Sequence, residues 1–486
     1  MKELKNILSE LKPLEIVGNK DRFLAGLAFD SRKVEKNFLF VATRGTLVDG
    51  HDYISIAIEK GASCIICENI PSACDPNLTY VRVQDSQESL GLIAAKWYDN
   101  PSKKLKLVGV TGTNGKTTIA SLLHTLFTDL GYCCGLLSTI ENKIDKQIFA
   151  ATHTTPDALQ LNALLDKMVK AGCSYCFMEV SSHALAQKRI TGLQFEGGIF
   201  TNLTHDHLDF HKTIPEYIKA KKLFFDGLSK SAFALSNIDD KNGNVMLQNC
   251  KAKKHSYSIK NLADFKGRII ENQIHGLHMQ IDGNDIYCRL VGQFNAYNLL
   301  AIYGAARLLG ERSEEILPAL SNLSSVAGRF DYQQTPKGII AIVDYAHTPD
   351  ALKNVLETIN QLQNENCKII TVVGAGGNRD KSKRPEMAKI AVQLSDRLIL
   401  TSDNQRFEDP ETILSDMQTG LNEEQQKRSL SITNREEAIK TAFFLAQKGD
   451  VILIAGKGHE TYQEIKGVRY PFDDKDVINK LIKKTL

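Results

Sequence analysis

The residue types best suited to chemistry fall in one stretch, Gly112-Thr113-Asn114-Gly115-Lys116-Thr117-Thr118. An apolar run, Leu105 to Val110, leads into it, and apolar residues at helical spacing follow from Ile119. A strand, a glycine-bearing turn, Lys-Thr and a helix, in that order, form a cradle for phosphate. The glycines let backbone N–H groups approach the oxygens, and the helix N-terminus adds a favourable dipole. Lys116 brings a point charge and Thr117 a hydroxyl for Mg²⁺. The strict form of this motif places a glycine at Val110, whereas here it falls at Gly109. An ordinary strand-to-helix turn is the competing reading, and Gly115-Lys116-Thr117 in this setting argues against it. The stretch predicts binding of a nucleoside triphosphate.

Other apolar runs end in polar clusters, as strands of a doubly wound sheet do at their ligand-binding ends. One is Tyr175-Cys-Phe-Met-Glu179-Val-Ser181-Ser182-His183; another runs from Gly198 through Asn202, His205-Asp206-His207 and Asp209 to His211. Glu179 with an imidazole of the second cluster can hold a Mg²⁺ beyond the one bridging a triphosphate. A zinc site or a capped turn suits the same residues. His153-Thr154-Thr155-Pro156 lies between them, with hydroxyls that can meet a substrate or cap the next helix. Two C-x-x-C pairs, Cys64 with Cys67 and Cys173 with Cys176, raise zinc again. Both pairs sit in strand-like apolar runs, where cysteine more often serves as a small buried hydrophobe. The scattered remainder of the 10 cysteines fits reduced thiols in a cytosolic enzyme.

Elements must position these groups, and the length of 486 residues suggests about three domains. With 42% hydrophobic and 24% charged residues the chain reads as an ordinary globular protein. Its net charge of +3 is too small to argue for nucleic acid or a membrane surface. The apolar runs are all too short to span a bilayer, and the opening Met1 to Glu10 reads as an amphipathic helix start without a signal-peptide core. These features predict a cytoplasmic protein. The fold class expected is α/β in three domains. A small N-terminal α/β domain covers 1–101, with Tyr98 to Lys104, polar and proline-bearing, as a plausible linker at its end. A central P-loop-type ATPase domain with a mostly parallel sheet covers 102–332. It includes a β-rich stretch from His278 to Leu290, turned at Asp282-Gly283-Asn284, and a helix from Phe294. A C-terminal Rossmann-like domain covers 333–486, with strands at Ile339–Asp344, Lys368–Gly374, Asp396–Thr401 and Asp450–Gly456. Each of those strands ends in a polar loop.

Several motifs together are far more specific than any one. They are Gly109-x-x-Gly112-Thr-Asn-Gly115-Lys116-Thr117-Thr118, Glu179-Val-Ser-Ser-His183, Thr201-Asn-Leu-Thr-x-Asp206-His207-Leu-Asp209-x-His211 and Asp344-Tyr-Ala-His347-Thr-Pro349. In this order, and over nearly the whole chain, they resemble the Mur ligases of bacterial cell-wall synthesis. Gly376-Gly-Asn-Arg379-Asp-Lys-x-Lys-Arg384-Pro, Asp403-Asn404-Gln405-Arg406 and Gly456-Lys-Gly-His459-Glu460 are most similar to the branch that adds diaminopimelate.

The resemblance implies site residues beyond those the chemistry alone picks out. ATP is expected on the Gly112 to Thr118 loop, with Asn295, Asn298, Arg329, Asp344 and His347 in support. The uridine end of a UDP-N-acetylmuramoyl-dipeptide is expected on Phe29, Ser31, Thr46, Leu47 and Val48, and its sugar-peptide on His153, Thr154, Thr155, Ser181, Gln187 and Arg189. Meso-diaminopimelate is expected on Arg379, Asp403, Asn404, Gln405, Arg406, Gly456 and Glu460. Lys116, Glu179, His207 and Lys221 form the expected catalytic set, with Thr117, Glu179, His207 and Lys221 toward Mg²⁺. In this family Lys221 matches a carbamylated lysine (N6-carboxylysine): an ammonium cannot ligate Mg²⁺, whereas a carbamate offers oxygen. Read without the family, Lys219, Lys221 and Lys222 form one solvated helix face.

The implied reaction runs through an acyl phosphate on the substrate's D-glutamate, then amide formation by the incoming amine, in a monomer. Arg406 is the residue expected to choose that amine, since a guanidinium grips the far carboxylate of diaminopimelate and repels the ammonium of L-lysine. Pairing of Arg406 with Glu408 or Asp409 is the competing role. The family's loop reads Asp-Asn-Pro-Arg; Gln405 replaces the proline, which loosens the turn because glutamine does not fix φ. Addition of L-lysine is the alternative, then folylpolyglutamate synthesis, then a non-catalytic nucleotide-binding scaffold.

Overall fold

The computed structural model describes residues 1–45, 48–362 and 367–485. Thr46 and Leu47, expected at the uridine end of the substrate, lie outside the described residues. Among the described residues, the first sheet has five strands, ordered Glu15–Val17, Thr79–Arg82, Ala62–Cys67, Phe38–Val41 and Gly26–Ala28. All pair in parallel except Glu15–Val17. Ala62–Cys67 is buried along its whole length, as a parallel strand covered on both faces must be. Alternation sends Cys64 into the core with Ile7 and Ile93, and Cys67 into the opposite core with Ile54 and Ala57. The two thiols therefore face away from each other, and burial pushes both up to about 12. Cys173 and Cys176 both enter the core holding Leu107 and Met168. All four act as buried hydrophobes.

The second sheet has eleven strands. At its middle Lys106–Thr111 lies between Tyr175–Glu179 and Gly197–Phe200, parallel to both. Cys134–Leu137 flanks on one side, and Phe233–Asn237 and Lys253–Ser258 on the other. Strand order reverses around Lys106–Thr111, so its C-terminal end opens into the crevice where such sheets bind ligands. Antiparallel strands close both edges: Glu141–Ile144 with Gln147–Ala150, and the meander Phe265–Gln273, Gly276–Ile281 and Asn284–Cys288. The meander carries the turn expected at Asp282 to Asn284, and its first strand extends the β-rich stretch toward the N-terminus.

The third sheet, ordered Asp331–Gln334, Ile340–Asp344, Val451–Ala455, Ile369–Val373, Arg397–Leu400 and Ser429–Ser431, is parallel apart from Asp331–Gln334. The stretch Tyr98 to Lys104 is not a loose linker. Pro101–Lys103 forms a 3-10 turn with Pro101 and Ser102 buried, and Ser102 Oγ accepts from the Gln194 amide at 3.1 Å. The helix Ser86–Trp97 has already ended at Asp99 and Asn100, both in the left-handed region, and Pro101 opens the turn that follows. The N-terminus is likewise a strand pair, Lys2–Glu3, and two short helical turns to Glu10, seated by Leu4, Ile7 and Leu8.

One ion pair anchors the third domain's last helix, Asp474–Thr485. Arg435 and Asp474 are both fully buried and meet in two parallel hydrogen bonds of 2.7 Å; Arg435 also donates to the Ala455 carbonyl at 3.0 Å. Arg435→Ala should lower stability by about 3–5 kcal/mol, because it strands a buried carboxylate. A urea titration reads this directly, and a loss under about 1 kcal/mol would contradict it.

Candidate active site

The phosphate loop joins Lys106–Thr111 to the helix Lys116–Asp129. Gly112 (φ +149) and Gly115 (φ +87) take conformations that L side chains rarely adopt, and a Cβ on Gly112 would lie 1.9 Å from Thr201 Oγ1. Gly109 serves differently. It lies inside the strand, and a Cβ there would meet the Phe224 ring at 2.5 Å. The glycine displaced from the strict motif is thus a packing glycine beneath the loop, and Val110 beside it is a buried strand residue.

The loop forms one wall of a cavity of about 550 Å³, lined by Thr113 to Thr118 and by Glu179, Asp206, His207, Lys221, Asn298, Arg329, Asp344 and His347. Lys116 Nζ donates to the loop's own carbonyls, Gly112 at 3.0 Å and Thr113 at 2.7 Å. Enclosure by protein lowers its ammonium below the usual lysine range, opposed by Glu179 and Asp206. Thr117 Oγ1 accepts from Arg329 Nη2 at 3.0 Å. Asn298 donates to Asn295, which lies behind the wall and donates to the Val291 carbonyl. Asp344 spends its two oxygens on the amides of Phe330 and Ala346, at 2.6 and 2.7 Å, and shapes the turn presenting His347.

Lys221 separates clearly from its neighbours. On the helix Ile214–Asp226 it shares the buried face with Tyr217, Phe224 and Phe225, spaced four before and three and four after. Lys219 is exposed, and Lys222 pairs with Asp226 at 2.6 Å. Lys221 Nζ donates to the Gly112 carbonyl at 2.8 Å, and burial, helped by Lys116, lowers it well below the usual lysine range. Glu179 is buried; Oε1 accepts from the Thr139 amide at 2.7 Å, while Oε2 has no hydrogen-bond partner. His207 is driven down to about 3, chiefly by burial, so its imidazole is a neutral lone-pair donor. Lining one cavity, a buried carboxylate oxygen without a partner and a neutral imidazole are donors that suit a hard divalent cation.

On the substrate side Thr154 and Ser181 reach the cavity. Thr155 Oγ1 donates to the Glu179 carbonyl at 2.8 Å and accepts from the Ser181 amide, tying the turn to the strand end. Arg189 donates to the Thr155 carbonyl and, through Nε and Nη2, to Gln187 Oε1. His153 lies outside the cavity lining, 3.3 Å from Thr152 Oγ1. Phe29, Ser31 and Val48 belong to the first domain and do not line this cavity. Asp30 caps the 3-10 turn Ser31–Lys33, leaving Ser31 buried.

The third-domain set clusters around Gly376 and Gly456. A Cβ on Gly376 would lie 3.0 Å from Arg406 Nη1 and 3.8 Å from Arg379 Cγ, so both arginines flank that glycine. Arg406 donates to the Gly377 carbonyl at 2.8 Å, and Glu464 lies 3.8 Å away. Its competing partner is engaged elsewhere: Glu408 is held by Arg384, Lys381 and the Asn378 amide. Asp409 caps the helix Pro410–Gln418. Asn404 donates to Glu460 at 2.7 Å, and Asp403 is buried beside Gly456.

Three family models match the chain: "Mur ligase family, catalytic domain" over residues 24–98, "Mur ligase middle domain" over 110–306, and "Mur ligase, glutamate ligase domain" over 328–458. The chain is 57% identical, over 99% of both chains, to the UDP-N-acetylmuramoyl-L-alanyl-D-glutamate–2,6-diaminopimelate ligase of Cytophaga hutchinsonii. The chain belongs to the Mur ligase family. A solved structure of a ligase with the same name superposes with a TM-score of 0.70 at 31% identity, covering 100% of this chain and 99% of the other. The MurF ligase of Thermotoga maritima in complex with ADP superposes at 0.63 over 94% of this chain; at 19% identity it shows that the fold is common to the two Mur ligases.

Some contacts across the site carry no sequence signal of their own. Asn114 donates to Asp350 Oδ2 at 3.0 Å, bringing the third domain onto the phosphate loop. Asp350 follows Pro349 at the start of the helix Pro349–Leu362, where an acid reads simply as helix-dipole compensation. Asn202 Oδ1 accepts from the Asn114 amide at 2.9 Å, a contact between loops 88 residues apart. Lys116→Ala should leave the fold intact, since Lys116 touches only loop carbonyls, and should abolish the rise in melting temperature on adding ATP. An undiminished ATP-induced shift would contradict the phosphate-cradle geometry.

Proposed function

We propose that this Mur ligase uses ATP to join the amine of meso-diaminopimelate to the D-glutamate carboxylate of UDP-N-acetylmuramoyl-L-alanyl-D-glutamate. The observation that carries the reading is the Arg406 guanidinium beside Arg379, held by the Gly377 carbonyl and not by Glu408, in a chain 57% identical to a ligase of that name. The phosphate loop facing Arg329 and His347 across one cavity supports ATP as co-substrate. A boundary at 101/102 leaves the first two sheets whole, whereas one at 332/333 cuts the strand Asp331–Gln334, which pairs with Ile340–Asp344 in the third sheet. We infer a cytoplasmic monomer; no described helix is long and apolar enough to cross a membrane.

The D-glutamate carboxylate attacks the γ-phosphorus of ATP, ADP leaves, and an acyl phosphate forms. The amine then adds to that carbonyl carbon, and the tetrahedral intermediate expels phosphate, leaving the amide. Lys116 and the N-terminus of the helix Lys116–Asp129 oppose the charge of the triphosphate throughout phosphoryl transfer. Arg329 adds a second cation from the other wall. Thr154, Thr155, Ser181 and Arg189 orient the sugar-peptide, and no side chain forms a covalent bond to substrate. Glu179, His207, Thr117 and carbamylated Lys221 would hold Mg²⁺, which when bound supplies charge neutralisation to the phosphates. Lys221, shifted toward its neutral form by burial, adds to CO₂ through its amine and loses a proton, leaving a carbamate.

Phosphate release with the nucleotide-dipeptide and a panel of amino acids tests the reading. Turnover with meso-diaminopimelate supports it, folate-dependent turnover would favour folylpolyglutamate synthesis, and no turnover a binding scaffold. Equal kcat/KM for L-lysine and meso-diaminopimelate would refute the choice of amino acid. Arg406→Ala should raise the KM for diaminopimelate, at a cost of about 2–5 kcal/mol. Lys221→Ala should lose turnover, with bicarbonate failing to restore it and a short carboxylic acid restoring part. Full activity of Lys221→Ala at limiting Mg²⁺ would refute the metal assignment.

A further inference from the structure

Lys457 is wholly buried, directly after the strand Val451–Ala455 and between two glycines. A buried ammonium is costly unless anions and acceptors surround it. Here Nζ donates to Glu460 Oε2 at 3.1 Å and to Asn404 Oδ1 at 3.2 Å, and lies 5.5 Å from the Tyr462 ring centroid. Asn404 donates to the same Glu460 oxygen at 2.7 Å, and its Oδ1 also accepts from the Glu464 amide at 2.9 Å, which fixes its orientation. Asp403 is buried alongside, and the neighbouring Arg435 is engaged by Asp474. Lys457 therefore stands against two carboxylates, and the pocket of Asp403, Lys457 and Glu460 carries one net negative charge.

We propose that Lys457 is the positioning residue of the amino-acid pocket: it holds Asn404 and Glu460 in one geometry and leaves one negative charge for the incoming substrate's ammonium. The proposal rests on the amino-acid-adding reading above. Two buried carboxylates without a cation between them would not both stay ionised, and a protonated Glu460 would offer the ammonium a neutral carboxyl in place of a carboxylate. Burial and then the Asp403 charge already raise Glu460 above the usual carboxylate range, with Lys457 opposing. Burial raises Asp403 too, but Lys457 and then Arg435 bring it below its usual value. The other charged or titratable groups around the pocket include Arg329, Tyr345, His347 and His459 from the facing turns, Arg406 and Glu464 from the adjacent loop and strand, and Tyr462 with Arg469 over its ring.

The test uses the full enzyme with ATP, nucleotide-dipeptide and diaminopimelate. Lys457→Met should raise the KM for diaminopimelate about tenfold or more while the KM for ATP stays within about twofold. The acid limb of kcat/KM for diaminopimelate should move to higher pH, because Glu460 then protonates more readily. Lys457→Arg should recover part of both effects. Should the methionine variant fail to fold, Lys457→Gln retains a hydrogen-bond donor without the charge and is expected to show the same KM rise and the same shift. An unmoved acid limb with an unchanged KM for diaminopimelate, in whichever uncharged variant folds, overturns the role of Lys457 alone. Absence of diaminopimelate-dependent turnover in the unmutated enzyme overturns the ligase reading, and this proposal with it.

Discussion

Two lysine side chains converge on one carbonyl oxygen. Lys116 and Lys221 both donate to Gly112 O, at 3.0 and 2.8 Å, inside a cavity walled by protein. Like charges so close, and so poorly solvated, repel. The fold answers this in two ways. Lys221 is shifted toward its neutral form, and carboxylates stand opposite, Glu179 and Asp206 in the same wall. What remains is an unmet demand for negative charge, which a triphosphate on one lysine and a carbamate on the other would satisfy. The positions of the glycines follow from that demand. Gly112 must place its carbonyl between the two lysines while Thr201 occupies the space a Cβ would take.

The same constraint explains why two sheets meet at the site. The phosphate loop belongs to the central sheet alone, yet its polar atoms and those of the neighbouring loop are met by Arg329, just before the third sheet, and by residues of the third domain. Arg329 reaches Thr117, Asp350 reaches Asn114, and His205 lies 3.4 Å from Asp380. The opposed groups come from elements far apart in the chain, so one domain's packing does not fix the distance between them. A cavity assembled in this way can take in a large anionic ligand at an open edge and bring cationic and imidazole groups to bear afterwards. Pocket placement between domains is common for such ligands.

Legibility followed the range of the interactions. Strand, loop and helix around Lys116 were readable because a glycine turn, a Lys-Thr pair and helical periodicity are local signals. The parallel strands of the third domain were equally plain as short apolar runs ending in polar loops. Lys221 was not separable from Lys219 and Lys222 by chemistry, because burial of one face of that helix depends on the core beneath it, which holds Tyr217 and Phe225. Tyr98 to Lys104 read as a linker because its composition is polar; its burial depends on a hydrogen bond to a residue 92 positions away. Lys457 lay in plain view between two glycines and carried no mark of burial, since its partners Asn404 and Glu460 are assembled by the sheet.

Gln405 shows how a local rule can be replaced by a tertiary one. Proline before Arg406 would restrict φ at its own position and the conformation of the residue before it. Without it, the loop keeps Arg406 in the left-handed region at φ 50, a conformation that costs energy for a branched-free but bulky side chain. The hold comes from the neighbouring hairpin, Tyr462–Ile465 with Val468–Pro471. The Arg406 amide donates to the Glu464 carbonyl at 2.9 Å, and the Arg406 carbonyl accepts from the Lys466 amide at 2.6 Å. The Phe407 amide then donates to Asn378 Oδ1 at 3.0 Å. Three contacts from two other loops thus fix the backbone on both sides of Arg406. The guanidinium keeps its place beside Gly376 because the loop is braced from outside, and the identity of residue 405 matters less than the hairpin that stands behind it.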